Sequence, residues 1–166
     1  MLKKVFGYPK FNSRGEQILT TYDNVFRDMM MDIRVFRMET GRVRSFCFTG
    51  EETAILLLSG NITFRWNNHE ETVTRRDVFT EGPWALHVSS KTPVKVTANA
   101  DREILVQRTK NNTGFAAKLY SPDDAPWIYS TVGKFGNVAR RRVNTIIDHD
   151  INPLSNMVLG DRKSVV

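Results

Sequence analysis

Histidines are the side chains of this sequence best suited to bind a metal ion or to move a proton near neutral pH. The three present, His69, His87 and His149, stand alone, and none has a second histidine two residues away. A barrel strand often binds a metal through such a pair, because alternate side chains point to the same face. We therefore expect no metal site made by this chain alone, and a surface or hydrogen-bonded core position for each histidine.

His87 is the histidine with the strongest claim to a binding role. It lies in the segment 84–88, which follows a turn and is expected to aim alternate side chains into a barrel. Beside Glu51, Glu52 or Glu81, an inward His87 would help to line a polar pocket. The alternative is a hydrogen-bonded histidine of the core, and it is the favoured interpretation.

Arg140, Arg141 and Arg142 form the main basic run of the chain. On a strand, Arg140 and Arg142 share one face and Arg141 points to the other. This division favours a solvated strand or a salt-bridge role, although the fork of an arginine also matches a carboxylate. Arg141 and Arg142 therefore join His87 as candidate substrate-binding residues.

The remaining cations are scattered along the chain, which argues against a nucleic-acid partner. The 24 Lys and Arg exceed the 18 Asp and Glu and give a net charge of +6. A surface that follows phosphates usually gathers many cations, with exposed aromatic residues between them. Nucleic acid is therefore the least favoured partner.

The single cysteine, Cys47, excludes an intrachain disulfide and a cysteine-rich zinc site. We expect it to be a small core residue rather than a reactive thiol, because no histidine or basic cluster adjoins it. No stretch approaches the roughly 20 apolar residues of a membrane span, and the first residues do not form a signal peptide. These features predict a cytoplasmic protein with no membrane partner.

A two-residue alternation of apolar and polar residues indicates strands along most of the chain. Thr53–Leu58 is a continuous apolar run that predicts a buried strand ending at Ser59-Gly60, and Asn67-Asn68 predicts a hairpin turn. On 29–36, an alternation of Met29, Met31, Ile33 and Val35 with Met30, Asp32, Arg34 and Phe36 indicates a strand with one better-buried face. The predicted barrel strands are 29–36, 43–48, 53–58, 62–66, 70–74, 78–79, 84–88, 94–96 and 104–106. Such short, closely spaced strands without a long helix predict an antiparallel sandwich or barrel.

The second part of the chain differs in character from the first. Residues 111–137 contain proline- and glycine-rich loops, and 140–147 alternate again, which predicts one more strand outside the barrel. We assign residues 1–115 to the barrel and residues 116–166 to a linker and a β-arm. We expect this arm to pack on a second domain.

Several blocks of the sequence, in this order, resemble the first half of the 5-deoxy-glucuronate isomerase family, whose members contain two cupin domains. The blocks cover most of the chain to about Gly160. They are 33–38 through Gly41, 51–60, 76–79 followed by 83–86, 136–143, and 156–160. The resemblance implies an all-β fold, an antiparallel cupin-type jelly-roll barrel with a C-terminal linker and β-arm.

The same resemblance implies a reaction. The family isomerises 5-deoxy-D-glucuronate to 5-dehydro-2-deoxy-D-gluconate during myo-inositol breakdown, an intramolecular oxidoreduction between aldose and ketose. Its partners would be a small sugar acid and further copies of the chain in a homo-oligomer. A divalent metal of the zinc or manganese type would stabilise the enediolate-like charge.

In the family, the metal-binding histidines and glutamate belong to the second cupin, after a Pro-Pro-His type motif that this sequence lacks. No catalytic residue can therefore be carried over to this chain. We expect a truncated member that holds no metal and is inactive alone. The alternative is a non-enzymatic sugar-sensing or oligomerisation cupin, similar to the N-terminal half of some transcription regulators.

Overall fold

The computed structural model describes residues 9–24, 26–126, 128–130 and 140–165, and these form an all-β protein. One short 3-10 helix, Arg27–Met29, precedes the second strand. No helix in the described ranges is long and apolar enough to cross a membrane. The strands are β1 (Glu16–Thr20), β2 (Met31–Met38), β3 (Val43–Phe46), β4 (Glu51–Trp66), β5 (His69–Arg75), β6 (Trp84–Val88), β7 (Val94–Ala98), β8 (Arg102–Lys110), β9 (Lys118–Tyr120), β10 (Ile128–Ser130), β11 (Arg140–Ile147) and β12 (Leu159–Val165).

The barrel is built around β4, a strand of 16 residues that belongs to both of its sheets. The first half of β4 pairs with β8 and β6, in a first sheet of order β1-β2-β8-β4-β6-β9. Its second half pairs with β5 and β7, and β7 pairs with β3 to form the second sheet. All of these pairings are antiparallel, and the two sheets pack face to face through the shared strand.

The barrel interior is filled by apolar side chains from the inner faces of both sheets. Burial of such side chains is the main driving force for folding, because it removes apolar surface from water. Phe36, Ile55, Leu86 and Val106 illustrate the pattern, each alternating with a residue of the opposite face. The full interior cluster is Phe36, Met38, Phe46, Ile55, Leu57, Ile62, Phe64, Trp66, Val73, Leu86, Val88, Val94, Val96, Ala98, Ile104 and Val106.

The predicted end of a strand at Ser59-Gly60 is wrong, because β4 continues through both residues. Gly60 has φ +99°, and the register shifts between Leu57 and Ser59. A glycine and a bulge allow a strand to bend from one sheet into another without ending. The predicted turn at Asn67-Asn68 is confirmed, and it joins β4 to β5 with Trp66 opposite His69.

Two further strand predictions fail where side chains hold the backbone in turns. Residues 78–79 form a turn instead of a strand, in which Asp77 Oδ1 accepts hydrogen bonds from the Phe79 and Thr80 backbone amides. Met29 ends the 3-10 helix and Met30 has a positive φ of 54°, so these residues precede β2 and are exposed. Within β2 itself, the face with Asp32, Phe36 and Met38 is better buried than the opposite face, as expected of a strand with one better-buried face.

Cys47 is exposed, and the prediction that it belongs to the core is wrong. It follows β3, which within the described residues pairs only with β7. Such a strand buries one of its faces against the core and leaves the opposite face in solvent. Phe46 and Phe48 occupy the inner face, so Cys47 lies on the outer one.

The arm, defined here as β10, β11, β12 and the loop 148–158, forms a separate three-stranded sheet with β11 in the middle. The strand predicted at 140–147 is thus confirmed. The arm packs on the outer face of the first sheet, where it creates a second apolar cluster. The members of this cluster are Ala54, Leu56, Ala85, Tyr120, Ala125, Ile146, Ile147, Met157 and Leu159.

In this structure the arm packs on the barrel itself, and its packing on a second domain stays a prediction. The outer face of the first sheet carries Ala54, Leu56 and Ala85, which would be exposed apolar surface if the arm were elsewhere. The domain boundary at residue 115 stays a prediction. Strand β9, just beyond that boundary, pairs with β6 at the edge of the first sheet.

Replacement of Gly60 by alanine should destabilise the protein more than replacement of Gly41. Both glycines have positive φ, and a side chain there costs about 1–3 kcal/mol of strain. A Cβ at Gly60 would also lie 2.8 Å from the Arg102 Cβ, whereas a Cβ at Gly41 would meet nothing within 4 Å. We expect G60A to lose at least about 1 kcal/mol more unfolding free energy than G41A. Urea unfolding followed by tryptophan fluorescence measures both, and equal losses would contradict the bend at Gly60.

Candidate functional site

Six charged side chains lie at one end of the inner face of the first sheet, on β1, β2, β8 and β4. Asp32, Glu51 and Arg108 are on the same strand faces as the apolar interior residues, and Arg108 lies between the two carboxylates. Its Nη2 is 2.7 Å from Asp32 Oδ2, and its Nη1 is 2.9 Å from Glu51 Oε2. Arg34 bridges Asp32 to Glu16 at 2.7 Å each, and Lys110 pairs with Glu51 at 2.6 Å. The network is balanced, with three cations and three carboxylates.

The electrostatics of this network favour the charged forms of Asp32 and Glu16. Burial alone would raise the pKa of Asp32, but hydrogen bonds from Arg34 and Arg108 outweigh burial and lower that pKa. The pKa of Glu16 is lowered in the same way, through Arg34 and Asn12. Burial and the nearby Glu51 raise the pKa of Tyr22 to about 12, so its phenol stays neutral. The network therefore has the character of a permanent set of ion pairs rather than of a proton donor and acceptor.

The inner face near these charges does not fit a divalent metal. Phe46 and Phe48, two residues apart, face inward and offer no atom that coordinates a metal ion. The Arg108 guanidinium stacks 4.0 Å from the centre of the Phe48 ring and forms ion pairs with both nearby carboxylates. Across the described ranges, no three His, Cys, Asp or Glu side chains converge to hold a metal ion.

His87 does not point into the barrel, which corrects the expected direction of this side chain. Leu86 and Val88 face the interior, so His87, between them, lies on the outer face beside Ala85. There it contacts Glu52, one of the three carboxylates suggested for it, with Nε2 3.0 Å from Glu52 Oε2. Both side chains are almost completely buried, at 1% and 0% exposure. The geometry is that of the favoured interpretation, a hydrogen-bonded histidine of the core.

Glu52 connects this pair to the arm. Its Oε1 accepts a hydrogen bond of 2.7 Å from the Asn156 backbone amide, and its Oε2 accepts one of 3.0 Å from Ser155 Oγ. Burial raises the pKa of Glu52, but the hydrogen bonds from His87, Asn156 and Ser155 outweigh burial and lower it. An ionised carboxylate only accepts hydrogen bonds, so His87 Nε2 carries the proton and donates. The carboxylate thus links β6 to the arm.

The arm has a second buried connection at the other end of the first sheet. Arg75, which is fully buried, donates to the Leu57 carbonyl at 2.9 Å and forms an ion pair with Asp161 of β12. The sequence analysis missed this residue as a site residue, because no local pattern distinguishes a paired arginine from a solvated one. Val73 and Arg75 lie two residues apart on β5, on the same face, and both are buried. This spacing is the one sequence signal that could have identified Arg75.

The described side-chain contact of Arg142 is with a turn of the barrel rather than with His87. Arg142 donates from Nη2 to the Phe79 carbonyl, in the turn that follows β5. The Arg141 backbone pairs with Ser130 and Ser164, and its side chain lies outside the described part of the structure. A role of these three residues in substrate binding stays a prediction.

A cavity of about 430 Å³ lies outside the barrel interior, between the loop before β1 and the region around β3. Residues 11–15, Arg37, Glu39, Arg42 and Arg44 line it. The sequence analysis missed this arginine cluster as well. Its members stand singly in the sequence, and only the fold brings the loop before β1 next to β3.

The family model described as the KduI/IolB family matches residues 7–162 of this chain. No protein with curated function matches it in sequence. Among solved structures, an IolB-like protein from Salmonella typhimurium LT2 aligns with TM-score 0.65 and 20% identity, over 72% of this chain and 45% of that protein. The chain therefore spans less than half of that protein.

Two other solved structures also align with this chain. Protein Ylba from E. coli aligns with TM-score 0.55 and 15% identity, over 78% of this chain and 55% of that one. A cupin 2 domain-containing protein from Halorhodospira halophila aligns with TM-score 0.48 and 12% identity, over 68% and 73% of the two chains. The predicted fold class, an all-β antiparallel barrel of the cupin type, is confirmed.

Replacement of Glu52 by glutamine should loosen the arm. Glutamine keeps the shape of the side chain but removes the charge that receives three hydrogen bonds. Hydrogen bonds to charged groups contribute about 1.5–3 kcal/mol, and we expect E52Q to lose an amount in this range from the free energy of unfolding. Faster hydrogen exchange at the Asn156 amide would place the effect in the arm. The exposed Glu71 of β5 provides the control, and an equal loss in E71Q would contradict the role of Glu52.

Low pH should remove the stabilisation that the charged Glu52 side chain provides. The pKa of Glu52 is lowered in the folded state from an ordinary value of 4.5. Such a group stabilises the fold above its unfolded pKa, and this contribution is lost as the pH falls through the folded pKa. The difference in unfolding free energy between the wild-type chain and E52Q should therefore shrink below about pH 4.5. A difference that persists unchanged to about pH 2 would show that the Glu52 charge is unimportant.

Proposed function

The chain belongs to the KduI/IolB family, and on this premise we propose that it supplies the N-terminal, structural cupin of a sugar isomerase. The proposed reaction is the interconversion of 5-deoxy-D-glucuronate and 5-dehydro-2-deoxy-D-gluconate. The proposed contribution of this chain is a folded platform, without the groups that transfer the proton. The activity belongs to the whole enzyme, of which this chain resembles one half.

The filled interior of the barrel carries this proposal. An aldose–ketose isomerase must move a proton between two carbons and stabilise the negative charge that develops on oxygen. Phe46 and Phe48 face inward and cannot bind a metal ion, and the Arg108 guanidinium forms ion pairs with Asp32 and Glu51. Hydrogen bonds from Arg34 and Arg108 lower the pKa of Asp32 and so weaken it as a base, and Glu51 is held between Arg108 and Lys110. The described interior therefore offers no group for this chemistry.

The arm suggests what the platform does. Glu52 holds the loop at Ser155 and Asn156, and Arg75 holds Asp161 on the strand that follows. These two connections lie on either side of the apolar cluster and determine where the end of the matched region leaves the barrel. We propose that a second cupin follows from this point and holds the divalent metal, of the zinc or manganese type. The sugar acid and a homo-oligomeric assembly belong to the same proposal.

The 166-residue chain should neither isomerise 5-deoxy-D-glucuronate nor hold a stoichiometric divalent metal. The reason is chemical, since its described interior lacks a free carboxylate and a set of converging ligands. Turnover is measured with added manganese or zinc, and bound metal by elemental analysis of the dialysed protein. A two-cupin relative assayed in parallel serves as the positive control.

Turnover by this chain with one metal ion per molecule would overturn the structural role. It would leave the family assignment intact, because that assignment depends on the sequence match. An inactive chain beside an active two-cupin relative is the expected result.

A further inference from the structure

The arginines around the cavity outside the barrel carry an excess of positive charge. Arg37 is paired with Glu103, at 2.7 Å from Nη2 to Oε1. Arg14, Arg42 and Arg44 form no ion pair within the described residues, although all three line the cavity. Every Asp and Glu of the chain lies in the described ranges, so no undescribed acidic side chain is left to neutralise them. Glu39 also lines the cavity, and Glu16, which is paired with Arg34, attracts Arg14 and Arg44, so the positive charge is partly offset.

Arg44 is the most constrained of these three cations. Its guanidinium lies 4.5 Å from the centre of the Phe36 ring, and its Nη2 donates to the Arg14 carbonyl at 2.5 Å. Its Nε is buried and has no hydrogen-bond partner within the described residues. Burial lowers the pKa of Arg44, the nearby charges of Arg42 and Arg14 lower it further, and Glu16 opposes them in part. Like charges held together at a half-buried position are costly, and a bound anion would offset that cost.

The loop that forms one wall of the cavity is held in place before any ligand arrives. Asn12 Oδ1 accepts hydrogen bonds from the backbone amides of Arg14, at 2.9 Å, and Glu16, at 3.1 Å. Gly15 has φ +69°, and its carbonyl accepts a 2.7 Å hydrogen bond from the Arg37 amide of β2. A wall that is already ordered reduces the entropy lost on binding.

We propose that this cavity is a binding site for a small organic anion, of sugar size, that carries a carboxylate or a phosphate. Arg14, Arg42 and Arg44 supply the charge, and a guanidinium fork matches either group with two parallel hydrogen bonds. The Ser13 side chain on the cavity wall is suited to bind a hydroxyl group, and Phe11 adds an apolar surface. A volume of about 430 Å³ is within the range of small-molecule sites. None of the lining residues belongs to the apolar interior cluster, and the proposal does not depend on the proposed isomerase role.

The test is isothermal titration calorimetry of the full 166-residue chain with three probes that share a sugar ring. D-glucuronate presents a carboxylate, D-glucose 6-phosphate presents a phosphate, and D-glucose is neutral. We expect saturable binding of at least one charged probe and none of glucose. The charged probe that binds more tightly identifies the headgroup, and either result supports the site.

Three arginine variants locate the binding. R14Q and R42Q change exposed side chains that line the cavity, and each should weaken binding about tenfold or more, because each removes a charged hydrogen bond. R27Q is the matched control, since Arg27 is exposed, forms no ion pair in the described ranges and does not line the cavity. Its affinity should equal that of the wild-type chain. Urea unfolding verifies that all three variants remain folded.

Three outcomes would overturn the proposal. One is the absence of saturable binding of both charged probes. Another is glucose binding as tightly as they do, because the arginines would then not be the recognition element. The third is an equal loss of affinity in R27Q and R42Q, which would mean that overall charge attracts the anion without a defined site.

Discussion

The structure depends on the first sheet being apolar on both of its faces. Residues Glu51 to Leu57 of β4 are all buried, with Ile55 and Leu57 facing the barrel interior and Ala54 and Leu56 facing the arm. A strand that is buried on one side only would need no second cover. This strand does need one, so the arm is part of the same fold rather than a connection that only passes over it. Both apolar clusters therefore meet at β4.

Burial on both faces creates a second requirement, because polar groups enclosed between sheet and arm must find partners. Glu52 meets this requirement with His87, Ser155 and Asn156, and Arg75 meets it with Asp161 and the Leu57 carbonyl. Apolar contacts alone allow one surface to slide on another. Directional bonds at both ends of the cluster restrict the arm to one position.

Charged side chains are paired in different ways in three parts of the molecule. At the inner end of the first sheet, three cations and three carboxylates neutralise one another. Under the arm, one carboxylate is satisfied by hydrogen-bond donors. Beside β3, in contrast, Arg14, Arg42 and Arg44 line one cavity and form no ion pair among the described residues. The first two arrangements stabilise the fold, and the third is the observation on which the proposed anion site depends.

The sequence by itself determined the fold class, the hairpin at Asn67-Asn68 and the strand at 140–147, because these follow from local alternation and turn residues. It also suggested Glu52 as a neighbour of His87. Only the tertiary structure decided that His87 lies under the arm, since alternation separates two faces of a strand but does not say which one is inside when both are buried. Alternation likewise did not show whether Cys47 lies on the inner or the outer face of the barrel. The arginine cavity depends on residues such as Arg14 and Arg44, 30 positions apart, which no local pattern connects and which only the folded chain brings together.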